Sequence, residues 1–201
     1  MTYTQAHARV QQLAGYLQTL GVTKGARVAL CLRNTPEWVI SFWAIHVLGA
    51  VAVAVNCFNT PDVVAHCVTV AGAVAAIVDE ERMAGLDECK GSLIGAGCEH
   101  LLVVRAGGRV LDRFRCLATE LGAFEATPEL SAVPIAPEDN ATIFLTSGTS
   151  GLPKGVLSTQ RQFLSNLLNS MVAGNRAVLR AGGDLPVADP DAPQRTYLLV
   201  S

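Results

Sequence analysis

With 201 residues, half of them apolar, the chain has material for a sizeable core and for one domain or slightly more. Charged residues make up 16% and the formal net charge is −2, with Lys and Arg scattered singly, which removes any electrostatic case for nucleic acid or an anionic membrane as partner. Six cysteines, at 31, 57, 67, 89, 98 and 116, form no C-x-x-C pair and follow no signal peptide, so reduced, buried thiols and an intracellular, cytoplasmic setting are expected. The histidines at 7, 46, 66 and 100 are dispersed, and no metal site is expected from them.

Thr2-Tyr3-Thr4-Gln5 has the form of a capping box, and Ala6, Val10, Leu13, Ala14 and Leu17 follow at helical spacing, so a first helix is expected to end at Gly21. The apolar run 27–32 then reads as a covered parallel strand. Thr35-Pro36-Glu37 and Thr60-Pro61-Asp62 repeat one helix-start device: a cap residue, proline at the first helical position and a carboxylate near the positive end of the dipole. Between them, Trp38 to Val55 is an eighteen-residue stretch without a formal charge, at the lower limit for a membrane span. Gly49 interrupts it and the pattern changes there to the alternation Val51, Val53, Val55, so it reads as a helix and then a buried strand, with peripheral membrane association left open.

Downstream, a helix closed by Gly72, a strand over 73–78, a helix over 80–94, a strand over 101–104 and a weaker helix over 110–121 are expected. This alternation implies an α/β fold: a doubly wound, mostly parallel sheet with helices on both faces. Residues 1–125 form that layer in this reading, and 126–173 hold an ordered link, two further strands and a helix over 158–173 with Phe163, Leu164, Leu167, Leu168 and Met171 facing inward. Residues 174–196 read as a mobile insertion, and a strand begins at Tyr197.

The informative stretch is Thr142 to Val156, TIFLTSGTSGLPKGV. An apolar β-favouring run leads into hydroxyls and glycines, and Val156-Leu157 resumes the apolar character: strand, tight polar loop, strand. Glycines 148, 151 and 155 let the backbone turn and leave peptide N–H groups uncovered; Thr146, Ser147, Thr149 and Ser150 add hydroxyl donors, and Lys154 adds a positive charge. Such a loop suits a polyphosphate. It is not a Walker A loop, because Lys154 is followed by Gly155 and a strand-like pair in place of Ser or Thr and a helix.

The run TSGTSGLPKG, 146–155, resembles the phosphate-binding signature of the AMP-forming adenylating superfamily of acyl-CoA synthetases, luciferases and peptide-synthetase adenylation domains. Ser150 stands where Thr is commoner, and Ser158-Thr159 where family members often carry Ser-His. Segments similar to LGVTKGARVALCLRNTPEW and HVLGAVAVAVNCFNTPD are common near the start of acyl-CoA synthetases, so the resemblance reaches to about residue 173. It implies that Thr146, Ser147, Gly148, Thr149, Ser150, Gly151 and Lys154 bind the phosphates of ATP. It also implies Mg²⁺ as a companion of ATP, a carboxylic acid of the fatty-acid class as substrate, an acyl-adenylate, and coenzyme A as acceptor.

The family's metal-binding Glu, ribose-binding Asp and C-terminal Lys would lie beyond residue 201. The chain is therefore expected to be the front part of the large, N-terminal domain, with the small C-terminal domain absent, no catalytic residue assignable and little or no ligase turnover. Three alternatives stay open: an adenylation domain that loads a carrier protein or a luciferase-like relative, a non-catalytic nucleotide-binding or interaction piece, and an unrelated doubly wound phosphate-binding protein.

Overall fold

The structure, a computed structural model, describes residues 1–108, 110–124, 130, 132–146 and 151–185. A seven-stranded sheet in the order β5-β4-β3-β1-β2-β6-β7 carries helices on both faces. Its strands are β1 (Arg27–Cys31), β2 (Val51–Ala54), β3 (Ala75–Asp79), β4 (His100–Val104), β5 (Phe114–Cys116), β6 (Asn140–Thr146) and β7 (Lys154–Thr159). Every neighbouring pair is parallel except β6 with β7.

The helices are α1 (Tyr3–Thr19), α2 (Pro36–Val47), α3 (Pro61–Ala71), α4 (Glu80–Leu86), α5 (Lys90–Gly95), α6 (Leu117–Ala123) and α7 (Gln160–Arg180). The capping box of α1 forms in both directions, with the Gln5 backbone N–H donating to Thr2 Oγ1 at 3.2 Å and the Thr2 N–H donating to Gln5 Oε1 at 2.9 Å. At its other end Gly21 takes φ 82, and the N–H groups of Gly21 and Val22 donate to the carbonyls of Gln18 and Leu17, which closes the last turn.

Why the central strands are apolar without a break is visible in their pleat. Val28 and Leu30 of β1, Ala75 and Ile77 of β3, and Leu102 and Val104 of β4 face one core, shared with α1, α2 and α6. Ala29 and Cys31, Ala76 and Val78, and Leu101 and Val103 face the other, shared with α3, α4 and α5. A strand covered on both sides has no polar face to show. The Trp38 to Val55 stretch resolves as expected into α2 and β2, and among the described residues no helix is long and apolar enough to cross a membrane.

Four sequence expectations are corrected. The single helix over 80–94 is two, α4 and α5, separated by a turn at 87–89 that the Asp87–Lys90 ion pair spans at 2.6 Å. The helix over 110–121 is only its second half: Arg113 takes φ 70, and 114–116 add β5 to the sheet edge. Phe114 and Leu117, which share a face at helical spacing, enter opposite cores. Next, Ser158 and Thr159 belong to β7, and α7 runs from 160 to 180, through the start of the expected insertion. No residue of α7 is buried, and the five side chains expected inward, Phe163 to Met171, are exposed. Finally, all six thiols are free, but only Cys31, Cys67 and Cys98 are buried; Cys57, Cys89 and Cys116 are half-buried. Residues 186–196 of the insertion and the strand expected from Tyr197 lie outside the described residues.

The link into β6 is tied down where it is described. Lys24 Nζ meets Asp139 Oδ2 at 2.6 Å and donates to the Pro134 carbonyl at 2.8 Å, and the Ala136 N–H donates to Asp139 Oδ2 at 2.6 Å. The chain divides into two compact units, 1–160 and 161–201, and the sheet with its six covering helices belongs to the first.

Candidate functional site

In a doubly wound sheet the crevice outside the carboxyl ends of the strands is where ligands are bound. Here the direction of winding reverses between β1, whose successor lies on one side, and β3, whose successor lies on the other. Ion-paired side chains of the protein itself occupy that position. Asp79 accepts from the Arg33 backbone N–H at 3.1 Å and from Arg82 Nη1 at 3.2 Å, and Glu81 accepts from Arg33 Nη2 at 2.8 Å and from Arg82 Nη1 at 2.7 Å. Arg82 is buried, donates from Nε to the Cys57 carbonyl at 2.8 Å, and lines a cavity of about 280 Å³ with Cys57, Phe58 and Asn59. The Asp79 side chain also caps α4.

The signature loop leaves from the same edge. Because β6 is parallel to β2, its carboxyl end at Thr146 reaches the edge where β1, β2 and β3 also end, and β7 returns antiparallel with Lys154 directly opposite Thr146. Residues opposite one another share a face of the pleat. Thr146 and Lys154 are therefore side by side, with Phe144 and Val156 next along that face. Thr146 Oγ1 donates to the Lys154 carbonyl at 3.4 Å, and the hairpin carries both side chains exposed. Lys154 makes no ion pair with a described residue, so its charge is open to an anion.

Gly151 takes φ 105, a conformation that favours glycine, and a Cβ there would meet no described residue within 4 Å. Gly155 is demanded by packing: a Cβ would stand 2.9 Å from Ile143 Cγ2. Of the seven candidate phosphate-binding residues, the structure describes Thr146, Gly151 and Lys154; Ser147, Gly148, Thr149 and Ser150 lie outside the described residues.

One neighbour of the loop is not apparent in the sequence. His66 of α3, half-buried, donates from Nε2 to the Pro153 carbonyl at 3.2 Å and so ties the loop's return limb to a helix of the covered layer. Nothing in the spacing of 66 and 153 announces the contact; only the position of His66 between buried Ala65 and Cys67 marks it as facing the protein. The ion network was likewise not apparent, because Arg33, Asp79 and Arg82 come from separate elements that only the fold brings together.

For Mg²⁺, the described residues hold no group of three His, Cys, Asp or Glu side chains within reach of one ion. Of the two groups they place at the loop, the ammonium suits phosphate oxygens and the hydroxyl can serve a phosphate or a cation. An ion here would arrive with a nucleotide's phosphates and keep several waters.

A doubly wound α/β layer whose edge hairpin presents a hydroxyl and a lysine side by side is an arrangement suited to an anion such as a phosphate. Comparison with known proteins narrows that reading: residues 1–188 match the family described as AMP-binding enzyme, and the chain belongs to that family. Among its relatives are 4-coumarate-CoA ligase 2 of Narcissus pseudonarcissus, 30% identical over 83% of this chain and 29% of that protein, and acetyl-coenzyme A synthetase of Methylorubrum populi, 33% identical over 82% of this chain and 27% of that protein. The chain thus spans less than a third of the length of these curated relatives. Among solved structures, the anthranilate CoA ligase AuaEII in complex with anthranoyl-AMP is 28% identical with a TM-score of 0.72, over 80% of this chain and 30% of that one. A fatty acyl CoA synthetase of Mycobacterium tuberculosis is 29% identical with a TM-score of 0.65, over 80% and 29%.

Proposed function

We propose that the chain supplies the phosphate-gripping part of an ATP-dependent acid–thiol ligase, working with ATP, Mg²⁺, a carboxylic acid and coenzyme A in an intracellular, cytoplasmic setting. The observation that carries this reading is the pairing of Thr146 with Lys154 across the mouth of the signature loop, at the ligand-binding edge of the sheet. Family membership supports it, as do relatives named for CoA ligation of aryl and alkyl acids.

In the reaction proposed, a carboxylate oxygen attacks the α-phosphorus of ATP, the bond to the bridging oxygen breaks, and pyrophosphate leaves with the electron pair. The thiolate of coenzyme A then displaces AMP from the acyl carbon. For the first step a protein must hold the β- and γ-phosphates while negative charge builds on the leaving group, which is work of positioning and electrostatics. Lys154 would offset that charge, the Thr146 hydroxyl and the loop's N–H groups would orient the oxygens, and His66 would hold the loop's return limb in place. The acid we favour is a fatty acid, in line with the fatty acyl CoA synthetase among the structural relatives.

Calorimetric titration of the 201-residue chain with ATP·Mg²⁺ tests the reading. Saturable binding that weakens about tenfold or more in Lys154→Ala is expected, the loss of one charge-assisted contact to phosphate. Unchanged binding in that variant would sink the assignment of the loop.

A further inference from the structure

We propose that a second site, a cavity of about 350 Å³ enclosed by α1, α2, α6 and the end of β4, binds a small amphiphile made of an apolar chain or ring with a single carboxylate. In the sheet, β4 and β6 are separated by β3, β1 and β2, so four strand spacings, about 19 Å, divide this cavity from the phosphate loop. The inference therefore stands independently of the loop's assignment.

Leu13, Ile40, Leu117 and Leu121 give the cavity apolar walls, and its volume falls in the range of small-molecule sites, about 300–1,000 Å³. Set among them is Ser41 of α2, fully buried, whose Oγ has no hydrogen-bond partner among the described residues. A buried hydroxyl without a partner is costly, and this one lies in the wall of the cavity.

The cavity's charge gives the ligand its sign. Its lining holds two guanidinium groups, Arg9 and Arg105, against one carboxylate, Glu37. Arg105 donates from Nε to Glu37 Oε2 at 2.8 Å and is held at φ 53, a conformation that a side-chain-bearing residue keeps only where its surroundings fix it. Burial would raise the Glu37 carboxyl, but its hydrogen bonds, first the one from Arg105, together with the Arg105 charge outweigh that and hold it below the usual range, so the pair stays ionised. Arg9 makes no ion pair with a described residue. One positive charge is thus left over, and the planar fork of a guanidinium matches the two oxygens of a carboxylate. Arg9 would take the head group, Ser41 would donate to it or to a polar atom on the chain, and the leucines would cover the rest.

The test is a titration of the 201-residue chain with octanoate, followed by calorimetry and by backbone amide shifts. Saturable binding with shifts centred on Leu13, Ser41 and Leu117 is expected. A tenfold or greater loss of affinity is expected in Arg9→Gln, whose side chain is exposed and not needed for folding, and in Ala118→Trp, which fills the cavity from an exposed lining position. Octanol, the uncharged counterpart, should bind at least tenfold more weakly. No binding at millimolar octanoate, shifts centred on β6 and β7, octanol binding as tightly as octanoate, or unchanged affinity in Arg9→Gln would each overturn the proposal.

Discussion

The strands β1 and β3 at the middle of the sheet differ from the β6–β7 hairpin at its edge in one physical respect: how many of their faces are covered. Leu30 and Ile77 face one helix layer while their neighbours Ala29 and Ala76 face the other, and all four are 0% exposed. In β6 the face of Ile143 and Leu145 packs on a core, while the other face, covered at Thr142, opens toward the loop, where Phe144 is 44% exposed; β7 is exposed over 154–157. Burial on both sides produces a rigid base and leaves no donors for chemistry. A hairpin held from one side leaves Thr146 and Lys154 accessible, and its position comes from contacts to the base: the β2–β6 ladder, the Lys24–Asp139 pair and the His66 tether. Rigidity and reactivity are thus assigned to different strands of one sheet.

If coverage is the distinction, equal truncations should cost unequal amounts. Leu30→Ala removes a fully buried side chain between helix and strand and is expected to cost about 2–5 kcal/mol. Val156→Ala, at 49% exposure, should stay within about 0.5 kcal/mol. Urea unfolding of both variants decides the matter, and similar midpoints would show that the hairpin is as firmly built as the centre.

A smaller effect sharpens the same comparison at the boundary between the two regions. Gly155→Ala places a methyl group 2.9 Å from Ile143 Cγ2, on the one covered face of the hairpin, and should cost about 1–3 kcal/mol by overpacking. Removing the clashing branch in Gly155→Ala/Ile143→Ala should recover part of that cost, giving a coupling energy between the two sites; strict additivity would place the contact elsewhere.

What could be seen in the sequence divides along the same line. The covered layer was legible because two-sided burial writes itself as unbroken apolar runs, and because Thr-Pro starts and glycine stops bracket the helices between them. The loop is marked in the sequence by its ten-residue signature, and strands are expected on either side from the apolar runs 143–145 and 156–157, although β7 runs from Lys154 on through Thr159. β5 was hidden because Leu111, Phe114, Leu117 and Leu121 repeat at a helical period, while a left-handed Arg113 turns the chain so that Phe114 enters one core and Leu117 the other. The far reach of α7 was hidden by Gly174, read as a stop although the helix passes through it. His66, the Arg82 network and the Ser41 cavity were not legible, since each joins residues of separate elements whose nearness only the tertiary fold creates.

The least of the expected effects tests coverage through a proton. His46 lies on α2, its Nδ1–H donating to the Phe42 carbonyl at 2.8 Å and its Nε2 buried without a partner among the described residues. Burial lowers its pKa below the ordinary 6.5, and the hydrogen bond to Phe42 only partly opposes that shift. Protonation would put an N–H at Nε2 where no described residue accepts it. The folded chain therefore holds fewer protons at this site than the unfolded chain does, and stability rises with pH. The contribution is complete above the unfolded value and is lost as pH falls through the lower, folded one. Unfolding midpoints measured between pH 7.5 and 5.5 should fall in the native protein, and fall less in His46→Phe, which keeps a ring in place and has nothing to titrate. A slope unchanged by that replacement would mean that α2 covers the sheet less completely than Ile45 beside it, at 0% exposure, implies.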